Sequence, residues 1–152
     1  MKSGSKIIVT HEDAGHYAGK HIEGTRSNPK IAEALKQSIS EGRITCAAAH
    51  KIAGNLNISL VEVGVNIDLL EIRISKCQLG LFGYGKQKKI VKPAKHIAEK
   101  LEKAIKESIA DGRISCAACW DAARKAGCSE LDVSGACETL KVKIFSCQLG
   151  TF

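Results

Sequence analysis

Apolar residues recur along this chain at three or four positions, then switch briefly to alternation, and the whole sequence of switches occurs twice. Ile31, Leu35 and Ile39 stand four apart after Ser27-Asn28-Pro29, the signature of a helix with a capping residue and proline at its first position. The matching stretch follows Pro93 and carries Ile97, Leu101, Ile105 and Ile109. Gly42 and Gly112 are expected to stop these helices in the left-handed conformation. Arg43-Ile44 and Arg113-Ile114 then read as very short extended pieces. Thr45 and Ser115 are placed to cap alanine-rich second helices, CAAAHKIAGNL and CAACWDAARKA.

After tight turns at Asn57-Ile58 and Gly127-Cys128, third helices open at Ser59 and Ser129, with Glu62 and Asp132 three residues on as capping boxes. They are expected to end near Ile72 and Val142, where Ile72-Arg73-Ile74 and Val142-Lys143-Ile144 alternate as strands do. Each strand leads into the tetrapeptide CQLG, at Cys77–Gly80 and at Cys147–Gly150.

Shifting the chain by 70 residues superimposes these features without a gap. Residues 31–82 share 20 identities with 101–152, which marks an internal duplication. The expected fold class is mainly α with small β-hairpins. The expected organisation is an N-terminal segment over 1–26, a first repeat over 27–92 and a second over 93–152. In the first repeat Gly83-Tyr84-Gly85 can turn the chain, so that Lys88–Lys92 returns as the second strand of a wing. The second repeat stops at Phe152; its wing would be truncated, or its last strand would pair elsewhere, for example with Lys6–Thr10.

Helix, short strand, helix, tight turn, helix, strand is the order of a winged helix-turn-helix domain. Through GRITCAAAHKIAGNLNISLVEVGVNIDLL and GRISCAACWDAARKAGCSELDVSGACETL the chain resembles that superfamily as two tandem repeats offset by 70 residues. The resemblance implies a fold used by DNA readers, RNA binders and protein adaptors alike, so function must come from the site.

Charge sharpens the choice among these. The net charge is +7, and 18 of the 23 cations are Lys, a mix suited to neutralising phosphates rather than to bidentate reading of guanine. The third helices are a poor match for the major groove. Residues 60–72 carry a formal −3 through Glu62, Asp68 and Glu71, and residues 130–142 carry −2. Such a surface would be repelled by two phosphate strands.

The candidate phosphate contacts are therefore Lys86, Lys88, Lys89, Lys92 and Lys95 in the expected wing and linker, with Arg43 and Arg113 as secondary candidates that could equally be internal ion-pair partners. Six aromatic residues, of which only Tyr84 lies in a basic stretch, offer little for base stacking, so duplex DNA is favoured over RNA or single strands. The alternative is a protein-interaction adaptor or dimerisation module that uses Glu62, Asp68, Glu71 and Glu138.

The chemistry-bearing side chains add a weaker third reading. Cys119, Cys128 and Cys137 fall opposite Ala49, Ile58 and Ile67, as expected of small packed residues. Cys46, Cys77, Cys116 and Cys147 are thiols in both repeats and could serve a thiol or metal sensor, but paired C-x2-C knuckles are lacking and no metal or cofactor is expected. His11, His16 and His21 recur every five residues, a spacing that neither helix nor strand gathers on one side. No catalytic constellation stands out, and the expectation is a non-enzymatic protein. Apolar runs are too short for a signal-peptide core or a spanning helix, from which a cytoplasmic location without membrane partners is expected.

Overall fold

The computed structural model describes residues 17–22, 25–87 and 89–151. It is mainly helical, with six α-helices and four three-residue strands among the described residues. The order is α1 (Pro29–Ser38), β1 (Arg43–Thr45), α2 (Cys46–Leu56), α3 (Leu60–Leu69), β2 (Arg73–Ser75), then α4 (Glu99–Ser108), β3 (Arg113–Ser115), α5 (Cys116–Ala126), α6 (Glu130–Leu140) and β4 (Lys143–Phe145). The chain divides into two compact units between Ser75 and Lys76.

Local chemistry explains most element ends. Asn28 caps α1, its Oδ1 accepting from the Lys30 and Ile31 amides, and Pro29 stands at the first helical position. Thr45 and Ser115 cap α2 and α5 through the amides of Ala48 and Ala118. Asn57 and Gly127 close those helices in the left-handed conformation. Ser129 and Asp132 form the full reciprocal capping box, whereas Ser59 accepts the Glu62 amide at 3.1 Å.

Three helix boundaries differ from expectation. Gly42 and Gly112 do not terminate α1 and α4, which end at Ser38 and Ser108. Each glycine forms instead a two-residue left-handed turn with the preceding Glu41 or Asp111. Reciprocal Ser40–Arg43 and Ala110–Arg113 backbone bonds clamp these turns and aim the chain into β1 and β3. In the second unit α4 begins only at Glu99, six residues after Pro93, and Ala98 supplies no side-chain cap.

The strands pair in parallel, and this corrects the expected hairpins. Arg43, Ile44 and Thr45 register with Arg73, Ile74 and Ser75; Arg113, Ile114 and Ser115 register with Lys143, Ile144 and Phe145. Parallel partners need a long crossover, which α2–α3 and α5–α6 provide. β4 therefore has its partner inside its own unit; Lys6–Thr10 lies outside the described residues. The expected return strand is also missing from the described part of 88–92: Gly85–Gln87 is a 3-10 turn, Lys88 is outside the described residues, and 89–92 has no regular structure. The Tyr84 hydroxyl donates to the Cys77 carbonyl at 2.6 Å, holding this turn against the start of its own loop.

In the first unit α1, α2 and α3 pack on one another and bury Ile31, Leu35, Ile44, Ala49, Val63 and Ile67. In the second, Leu101, Ile105, Ile114, Cys119, Val133 and Ala136 form one core with Cys77 and Leu79. Residues 76–92, which the sequence suggested for the first repeat, thus belong with the second compact unit. Each CQLG is a tight turn, closed by Gly80 N–H to the Cys77 carbonyl at 2.8 Å and Gly150 N–H to the Cys147 carbonyl at 2.9 Å. The final glycine takes a positive φ in both (+74° and +82°), a conformation without steric cost for glycine alone.

Candidate functional site

The outer face of each third helix carries a strap made from the chain that precedes the unit's first helix. In the first unit the described part of the strap is residues 17–22 and 25–28. The Ala18 amide donates to Glu71 Oε2 at 2.7 Å, His21 Nε2 lies 2.8 Å from Asp68 Oδ2, and the Asn28 amide donates to Asn66 Oδ1 at 2.6 Å. Asn66 is buried and its Nδ2 donates back to the Glu62 carbonyl, so both ends of its amide are used.

In the second unit the described part of the strap is residues 76–87 and 89–98. The Ala94 amide donates to the Gly135 carbonyl at 3.0 Å, the Thr139 hydroxyl to the Ala94 carbonyl at 2.6 Å, and Lys89 pairs with Glu138. Gly135 is required by this approach: a Cβ there would stand 2.8 Å from the Lys92 carbonyl oxygen.

These contacts place most of the acidic candidates. Asp68 is buried against His21, Glu71 accepts a strap amide, and Glu138 holds Lys89; Glu62, exposed as Glu71 and Glu138 are, stands in the first turn of its helix. Its neighbour Val61 is 68% exposed, while Leu131 at the matching place in the second unit is 39% exposed and touches the Gly80 region of the strap.

The cations fall into three groups. Lys86, Lys92 and Lys95 are exposed on the strap or its approach. Lys89 is engaged by Glu138, and Lys88 is outside the described residues. Arg43 and Arg113 are exposed at the start of β1 and β3, where the parallel register sets Arg73 beside Arg43 and Lys143 beside Arg113. Registered residues of neighbouring strands project to the same side of a sheet, so each unit presents two cations together. Arg113 also lies over the Phe145 ring, 4.5 Å from its centre, a cation–π contact that fixes the guanidinium without neutralising it.

Arg73 and Lys143 are registered cations that sequence reasoning did not name as candidates. Their signal was present as a cation at both places of a pair 70 apart, but only the strand register shows what stands beside them. Like charges side by side on a ladder are destabilising by themselves.

Cys46 is buried in the first unit, while Cys77, Cys116 and Cys147 lie in the second, where the Gln148 side-chain amide donates to Cys116 Sγ at 3.7 Å. Burial pushes the Cys77 and Cys116 thiols up, and a bond to Cys137 together with burial raises Cys119. These groups therefore stay protonated and weakly nucleophilic at neutral pH. Among the described residues no group of three or more His, Cys, Asp or Glu side chains is arranged to hold a metal ion. Among the same residues no helix is long and apolar enough to cross a membrane.

No family model, curated protein or solved structure matches the chain.

Proposed function

We propose that this is a non-enzymatic, cytoplasmic nucleic-acid-binding protein built from two tandem helix-turn-helix repeats of winged-helix type, gripping the phosphate backbone of duplex DNA. The observation that carries the reading is the pairing of exposed cations in register, Arg43 with Arg73 and Arg113 with Lys143. A phosphate oxygen shared between two cations relieves their mutual repulsion and releases condensed counterions, so the arrangement that costs stability in the free protein favours the bound one. Lys86, Lys92 and Lys95 extend the contact. The third helices take no part, because straps lie along them and their charge is negative. Sequence preference is accordingly weak.

The test is fluorescence polarisation of labelled random-sequence duplex DNA titrated across salt. Affinity falls log-linearly with salt, and Arg43→Ala/Arg73→Ala makes the slope shallower by about 1 to 2. Lys86→Ala/Lys92→Ala/Lys95→Ala lowers it by about 2 to 3. Absence of binding at low salt overturns the proposal. The adaptor reading is favoured by one observation, the exposed Val61–Glu62 turn of α3, and in that case Val61→Ser/Glu62→Lys abolishes capture of a basic partner.

A further inference from the structure

The helix α4 carries a charge pattern that its counterpart α1 lacks. Leu101, Ala104 and Ile105 are buried in the core, and the opposite side of the helix presents Glu99, Glu102, Lys103 and Lys106 at spacing i, i+3, i+4, i+7, one continuous face. In α1 the corresponding positions hold Pro29, Ala32, Glu33 and Lys36. His96 and Glu107 join the four charged residues around a shallow, open concavity.

The order acid, acid, base, base reads the same after reversal of direction and exchange of sign. Two copies of the helix laid antiparallel set Glu99 opposite Lys106 of the second copy and Glu102 opposite Lys103, and the same two pairs recur across the two-fold axis. A two-fold interface must be self-complementary in this way, each residue meeting the one that meets it in return. Antiparallel alignment also opposes the two helix dipoles favourably.

We infer that the α4 face is a self-association surface whose occupant is a second copy of this chain, docked antiparallel through Glu99, Glu102, Lys103 and Lys106. This surface is distinct from the third helices and stands independently of the nucleic-acid reading. The same acids near the N-terminus and bases near the C-terminus also suit the helix's own dipole, and Lys106 already bonds Glu102 at 2.7 Å within the helix. Among the described residues Glu99 and Lys103 have no ion-pair partner, so association adds pairs rather than only exchanging them. An interface of exposed charges on one short helix is weak and transient.

Sedimentation velocity on the full chain decides the matter. At low salt the weight-average mass rises with protein concentration, and raising the salt to about 0.5 M weakens association by about tenfold or more. Glu99→Lys/Glu102→Lys and Lys103→Glu/Lys106→Glu each remain monomeric, because each face becomes uniformly charged. An equimolar mixture of the two regains a dimer, a gain of signal that misfolding of either variant cannot produce. The milder pair Glu99→Gln/Glu102→Gln and Lys103→Gln/Lys106→Gln, with circular dichroism unchanged, loses association in both members. A wild-type chain that stays monomeric at low salt overturns the inference. So does a dimer that survives in the folded glutamine variants.

Discussion

The two units use unlike bonds to hold a strap against their third helices, α3 and α6. In the first, a histidine on a buried aspartate and an asparagine amide shared with the backbone do the work; in the second, backbone bonds at Gly135, a threonine hydroxyl and an exposed lysine–glutamate pair replace them. Asp68 and Glu138 stand at matching places in the duplication, and both anchor the strap. What the units share is therefore the covering of the third helix. The particular bonds are exchangeable.

The sharpest break in the comparison comes from Leu79→Ala. Leu79 is fully buried in the core shared with Leu101 and Ile105, so its truncation costs the second unit about 2–5 kcal/mol. Amide exchange should speed up across α4–α6 and stay unchanged across α1–α3. Faster exchange in the first unit alone would show that the strap is not part of the second unit's core.

The matched strap anchors come next. His21→Ala removes a partner from the buried Asp68 and costs the first unit about 1–3 kcal/mol. Lys89→Ala opens a pair whose side chains are 48% and 37% exposed and costs the second unit less than about 1 kcal/mol, less still at high salt. Chemical denaturation followed by unit-specific amide signals measures both. Equal losses would mean that the two straps bind with similar strength despite their different burial.

A response to acid is of a size similar to the Lys89 effect. His50 is held down to about 4 by burial, against an ordinary value of 6.5, while Trp120 occupies the matching place and does not titrate. Between these values the unfolded chain binds the proton and the folded unit does not. His50 thus contributes full stability above pH 6.5 and loses it as pH falls toward 4. Allowing for partial exposure to solvent, the first unit loses about 1 kcal/mol over this window. His50→Gln should flatten that profile and leave the second unit unaffected.

What could be read from the sequence was what is decided within a few residues. Asn28 before Pro29, Thr45 and Ser115 before alanine runs, and the Asn57 and Gly127 turns all declare themselves locally, and each stands where the pattern put it. Three-residue strands are too short to show which neighbour they choose, and a parallel pairing thirty residues away leaves no local mark. Pro93 reads as a helix opener by the rule that works at Pro29, yet here it lies in the strap. The same limit applied to the site. That Lys86, Lys92 and Lys95 are exposed cations was legible from composition, whereas the cation beside Arg43 or Arg113 needed the register, and Lys89 needed Glu138 beside it.

The strap has a further consequence for how such a chain can grow. The tetrapeptide that opens the second unit's cover, Cys77–Gly80, occurs again after β4 as Cys147–Gly150 in the same kind of turn. The first copy of the tetrapeptide thus follows β2 in sequence but belongs to the cover of the second unit. A module grafted after Gly150 with the sequence of residues 81–150 would find the first turn of its cover already in place and bring the rest with it, and a graft joined at residue 93 would leave most of that cover behind.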